Sequence, residues 1–147
     1  MNLNPVNDLG YIYQPDLEPI SDRLYRLRSD YSYIYEGKDG LHRIICPKNM
    51  ITDLLSVPPI VWSFLPPSGP MQAGAVVHDL ICKHKGKLPR FYHDRMIMDL
   101  WIQEKITYTW EEAADIFNEI NKLTPASKIK RQLAYFFVRC YGLFKDW

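Results

Sequence analysis

The sequence predicts an α+β domain in which a small antiparallel β-meander in the N-terminal half is followed by a four-to-five-helix cluster. Three observations carry that prediction. Tyr31, Tyr33 and Tyr35 alternate with Ser32, Ile34 and Glu36, a period of two in strand-favouring residues. After Pro58 and Pro59 the apolar residues recur instead at helical spacing. With 147 residues, 47% of them hydrophobic, the chain is long enough to bury one core, so residues 22–147 are expected as a single domain behind an extended arm over 1–21.

The arm is expected because Pro5, Pro15 and Pro19 punctuate it among scattered polar residues. Strands are then expected over about 23–53. Leu24, Tyr25 and Leu27 begin them, and Glu36-Gly37-Lys38-Asp39-Gly40 supplies turn chemistry. Leu41 to Cys46 returns as a partner strand closed by Pro47, and Met50 to Thr52 continues the meander. Helices are expected over about 60–144. Ile60 to Leu65 makes a short one that Pro66-Pro67-Ser68-Gly69-Pro70 interrupts, and Met71 to about His84 makes the next, which Gly86 ends. Phe91 to about Glu104 reads as a further helix packing Ile97, Met98 and Trp101. Thr109 and Glu112 have the spacing of a capping box, which starts a helix with a stripe of Trp110, Ala113, Ala114, Phe117 and Ile120. The last helix, from about Ser127 to Phe144, is expected to bury Ile129, Leu133, Phe136, Phe137, Cys140 and Tyr141, leaving Lys128, Lys130, Arg131 and Arg139 as a solvated basic face.

Composition removes several function classes. Eighteen Lys and Arg against seventeen Asp and Glu leave a net charge of +1, so no global field draws the chain to nucleic acid. No apolar run approaches the roughly 20 residues of a transmembrane helix, and Met1-Asn2-Leu3-Asn4-Pro5 lacks the pattern of a signal peptide, so synthesis in a cytoplasm is expected. Cys46, Cys82 and Cys140 are odd in number and widely spaced; they read as small buried hydrophobes rather than a disulfide framework or zinc knuckle. Dinucleotide, P-loop and nucleophile-elbow motifs are missing.

Two segments carry chemistry that composition does not explain. In Thr52-Asp53-Leu54-Leu55-Ser56-Val57-Pro58, Asp53 leaves a strand three residues before Ser56. It is either a turn-maker bonding the following amides or an oxygen ligand at the sheet end. In Ala73-Gly74-Ala75-Val76-Val77-His78-Asp79-Leu80, Gly74 and Ala75 lie one turn back from His78 and leave space above its imidazole. That space admits either a packed helix or a substrate and a water. His78 and Asp79 point about 100° apart, so they serve different partners, His78 as a base and Asp79 as a cation ligand. A second pair, His93-Asp94, is expected on the following helix. The spacings of common zinc sites are absent, and calcium or magnesium on Asp53, Asp79 or Asp94 suits the oxygen ligands better.

Read together, Ile51-Thr52-Asp53-Leu54-Leu55-Ser56-Val57-Pro58, Leu65-Pro66-Pro67-Ser68-Gly69 and Ala75-Val76-Val77-His78-Asp79 resemble the domain of unknown function 1353 family, which is encoded by tailed bacteriophages and prophages. The resemblance runs from about Leu24 to Gly142. Its third motif matches Ala114-Asp115-Ile116-Phe117, while Asp94 stands at a more usual distance from His78; one of the two is the equivalent residue, and Asp115 is preferred.

The resemblance implies a phage setting rather than a reaction. A His-Asp on one helix with a distant Asp on a later one is similar to secreted and parvoviral phospholipases A2, where His activates water, the adjacent Asp binds calcium and the distant Asp orients the His. By that likeness His78 is the base, Asp79 the calcium ligand and Asp115 or Asp94 the orienter, with Ser56 and Asp53 lining the cleft. Two functions are thus expected: a calcium-assisted hydrolase of a bacterial envelope component, lipid or peptidoglycan, or a non-enzymatic virion component of tail or baseplate. In the latter the same residues form a polar network among other virion proteins.

Overall fold

The computed structural model describes residues 2–54 and 69–141. In chain order its elements are β1 (Leu17–Ser21), β2 (Leu24–Leu27), β3 (Tyr31–Gly37), β4 (Gly40–Cys46), β5 (Ile51–Thr52), α1 (Gln72–Lys83), β6 (Lys87–Leu88), β7 (His93–Ile97), β8 (Leu100–Gln103), β9 (Ile106–Thr107), α2 (Trp110–Asn121) and α3 (Lys128–Tyr141). The strands form three antiparallel sheets, ordered β1-β2-β5, β3-β4-β7-β8 and β6-β9.

The expected four-to-five-helix cluster is therefore corrected: the described residues hold nine strands and three helices. The largest single difference is the segment from Phe91 to Glu104. It opens with a 3-10 turn over Arg90–Tyr92 and continues as the β7–β8 hairpin, turning at Met98 and Asp99 with φ of 52° and 65°. Two consecutive left-handed residues define a I′ turn, whose twist matches the paired strands. Ile97, Met98 and Trp101 do fit a helical period, but no capping residue precedes Phe91, and Asp94 to Ile97 and Leu100 to Gln103 pair residue for residue. The short helix expected over 60–65 lies outside the described residues.

β2 to β5 fall where alternation places them, but in two sheets rather than one meander, and β1, within the stretch expected as an extended arm, adds a strand that pairs β2. β2 pairs β5, whereas β3 and β4 pair each other and then β7, from the second half of the chain. Inward-facing Tyr33, Ile44 and Cys46 of β3 and β4 join Val76, Val77, Leu80 and Ile81 of α1 in one buried core. Each such large apolar side chain stabilises by about 1.5–3 kcal/mol.

α2 starts at the expected capping box: Thr109 Oγ1 accepts from the Glu112 amide at 3.1 Å and Glu112 Oε1 from the Thr109 amide at 3.0 Å. α1 and α2 cross at Gly74, where an added Cβ would stand 2.6 Å from Asn121 Oδ1 and 3.1 Å from the Phe117 carbonyl. α3 is rotated relative to expectation. Ala134 and Val138 are buried, while Ile129 and Phe136 are 78% and 60% exposed, because Ala134 and Val138 are the residues turned towards the core. The arm packs on its own domain: Asn4 bonds both backbone groups of Ile34 at 2.8 and 3.0 Å, and Gln14 Oε1 accepts from the Ala73 amide at the start of α1.

Candidate functional site

α1 presents His78 and Asp79 to different neighbours, as their angular separation requires. His78 turns towards α2. Its ring lies edge-on to Trp110 and Phe117, with centroids 5.4 and 5.7 Å away. Its polar contact is the thiol one turn on, Cys82 Sγ, at 3.4 Å from Nδ1. Burial among these groups pulls its pKa down to about 4, so the imidazole is neutral at pH 7. The space beside Gly74 that the sequence leaves above this ring is taken by Phe117 and Asn121.

Asp79 turns the other way, towards β5. Burial raises its pKa to about 6 against a hydrogen bond from the wholly buried Thr52, and the neighbouring Asp53 pushes it further up. Thr52 Oγ1 in turn accepts from the Leu54 amide at 3.0 Å, which fixes the chain where it leaves the strand. Lys83 Nζ stands 3.9 Å from Asp79 Oδ2, which has no hydrogen-bond partner among the described residues. Asp53 is exposed beside this contact, and Ser56 lies outside the described residues. Thus Asp79, Thr52 and Asp53 come together, and His78 faces away from them.

A family model described as Protein of unknown function (DUF1353) matches residues 25–138. The chain belongs to the DUF1353 family. The match begins in β2 and ends within α3. No curated protein and no solved structure matches the chain.

Within this DUF1353 chain neither residue considered equivalent to the family's distant Asp reaches His78. Asp94 sits on β7 and points to the opposite face of the sheet from His93, where, buried, it accepts from Arg43 Nε at 3.0 Å and from the Arg43 terminal nitrogen; that guanidinium stacks 4.5 Å over Trp101. Asp115 sits on the exposed side of α2. It accepts from the Tyr135 hydroxyl of α3, with Arg139 at 3.9 Å, and lines a groove of about 410 Å³ floored by Tyr33 and Tyr35 of β3. Among the described residues no group of three or more His, Cys, Asp or Glu could hold a metal ion. None of the described helices is long and apolar enough to cross a membrane.

A second titratable cluster escaped the sequence reading. His93 is wholly buried, and its Nε2 lies 2.9 Å from His42 Nδ1 while its Nδ1 lies 2.6 Å from the Glu104 carbonyl. His42 Nε2 reaches Asp39 Oδ1 at 2.6 Å, and Tyr35 stacks on the His42 ring at 5.0 Å. The carbonyl can only accept, so His93 donates from Nδ1, and a proton in each remaining gap requires one more than two neutral imidazoles and a carboxylate hold. Burial lowers the His93 pKa, and the bond from His42 lowers that of Asp39. His42 and His93 lie about fifty residues apart and meet only through the register of β4 with β7, so no spacing in the sequence marks the cluster.

Proposed function

We propose that this DUF1353 chain is a non-enzymatic structural component of a bacteriophage particle, of the tail or baseplate kind, and that His78 and Asp79 fasten its helical layer to its sheets. The phage setting rests on the sequence motifs and their order. The structural role rests on one observation: Phe117 and Asn121 of α2 fill the space beside Gly74 that a substrate over His78 would need. The imidazole then acts as a polar wedge against Trp110 and Phe117, and Asp79 ties α1 to Thr52. Two measurements test this reading. Mass spectrometry of purified particles from a host carrying the gene is expected to find the chain, and His78→Ala is expected to lower its melting temperature by several degrees. Absence from particles together with an unchanged melting temperature rejects the proposal.

Asp79 Oδ2, which has no hydrogen-bond partner among the described residues, with Asp53 beside it, favours a second reading as a hydrolase of an envelope lipid or peptidoglycan in which neutral His78 is the base. Calcium takes about six to eight oxygen ligands, and the carboxylates gathered among the described residues do not supply that cage. The hydrolase reading predicts release of fatty acid or muropeptide by the wild type and its loss in a folded His78→Ala variant. Activity that survives the substitution removes it.

A further inference from the structure

The two edges of the four-stranded sheet are finished differently. On β3 the carboxamide of Asn4 caps Ile34. β8 ends the other side of the sheet with Leu100 64% and Ile102 42% exposed, and an exposed apolar edge strand is a template for another strand. From this geometry we infer that β8 is a self-association edge, which pairs antiparallel with β8 of a second copy of this chain about a two-fold axis at Ile102.

The register follows from which backbone groups have no partner among the described residues. In a two-residue I′ hairpin the residues flanking the turn, Ile97 and Leu100, exchange both backbone hydrogen bonds. Even-numbered residues of β8 therefore bond β7, and the Glu104 amide continues the pattern by donating to the His93 carbonyl at 3.1 Å. The amides and carbonyls of Trp101 and Gln103 point outward. A two-fold axis between residues would set an outward group against an inward one, so the axis must pass through a residue. Centred on Ile102, it sets Trp101 opposite Gln103 of the second copy, and these pairs exchange four hydrogen bonds. The two Ile102 side chains then meet on one face. Continued outward, the same register sets Asp99 opposite Lys105 of the second copy, twice by symmetry. Both residues are exposed, and no ion pair joins either to a described residue. One isologous patch thus matches itself in hydrogen bonds, apolar contact and charge. The inference is independent of the function proposed above.

Sedimentation equilibrium of the full chain tests it. The interface is small, so the wild type is expected to pass from 17.3 kDa to twice that mass at roughly tens to hundreds of micromolar. Ile102→Lys sets two ammonium groups face to face on the axis and is expected to leave a folded monomer throughout, its fold checked by circular dichroism. Lys105→Glu is expected to weaken the dimer about tenfold, and Asp99→Lys with Lys105→Glu is expected to restore it. A wild type that remains at 17.3 kDa to about 500 µM, a dimer indifferent to Ile102→Lys, or a double reversal weaker than the single one overturns the inference.

Discussion

The chain contains the dipeptide His-Asp twice, and the two copies are solved differently by the elements that carry them. On β7, His93 and Asp94 point to opposite faces of a sheet: the imidazole enters a buried chain of hydrogen bonds with His42, and the carboxylate, also buried, meets Arg43 on the other face. On α1, His78 and Asp79 are separated by a helical step, so both remain on the inner side, one against α2 and one against β5. The strand pair has matched its buried polar atoms. The helix pair has not, since His78 has only a thiol partner and Asp79 Oδ2 has none among the described residues. Identical sequence thus yields a hydrogen-bonded lock in one element and a wedge in the other.

The largest expected effect follows from the lock. His93→Ala removes a wholly buried ring, strands His42 Nδ1 and frees the Glu104 carbonyl, which together should cost about 3–4 kcal/mol in urea unfolding. His78→Ala, which loses mainly packing against Trp110 and Phe117, should cost about 2 kcal/mol. A loss at His78 equal to or greater than that at His93 would invert the ranking of the two sites.

Next in size is a pair of opposed pH effects confined to α1. The His78 pKa falls to about 4 from 6.5, so between those values the folded protein binds fewer protons than the unfolded chain, and acidification withdraws stability. The Asp79 pKa rises to about 6 from 3.8, so the folded protein binds more protons in that window, and acidification adds stability. Each amounts to about 2–3 kcal/mol, and in the wild type they largely cancel between pH 4 and 6. Relative to wild type, His78→Gln should gain stability as the pH falls from 6 to 4, and Asp79→Asn should lose it. Unfolding free energies of the two variants across that range check the signs; parallel slopes would mean that the two groups titrate as ordinary surface residues.

The sequence disclosed these environments unevenly. Local rules read α1 and α2 well, because Thr109 and Glu112 need only each other and Val76, Val77, Leu80 and Ile81 need only helical spacing. They failed over 91–104, where Ile97, Met98 and Trp101 satisfy two periods at once and the outcome was decided by β4, about fifty residues upstream, whose free edge β7 completes. The partners of the candidate residues are non-local for the same reason. Nothing near His93 in sequence announces His42, and nothing near Asp94 announces Arg43. That His78 and Asp79 face different neighbours was legible, since it depends only on the angle between adjacent helical residues.

A smaller effect is expected at Asp94, whose side chain is 7% exposed against 29% for Arg43. Asp94→Asn keeps an acceptor for the guanidinium and leaves the stack on Trp101, so the loss should be about 1 kcal/mol. Arg43→Leu should cost more, about 2–3 kcal/mol, because it abandons a carboxylate that is already out of water. Thermal melts of the two variants side by side check the order.

The smallest expected effect distinguishes the two residues considered equivalent to the family's distant Asp. Asp115 is 60% exposed, so its bond from Tyr135 and the nearby Arg139 are screened by water, and surface pairs of this kind contribute about 0–1 kcal/mol. Asp115→Asn and Tyr135→Phe should each shift stability by about 0.5 kcal/mol or less, and a double-mutant cycle should return a coupling of the same size. Asp115 is on α2, the helix that covers His78, yet it points to α3 while Phe117 meets the imidazole. Its removal should therefore leave the His78 ring and its titration unchanged, as read from the imidazole proton shifts in NMR. A displaced His78 titration in Asp115→Asn would show that the carboxylate acts across α2 and would bring the helix pair closer to an oriented base than to a wedge.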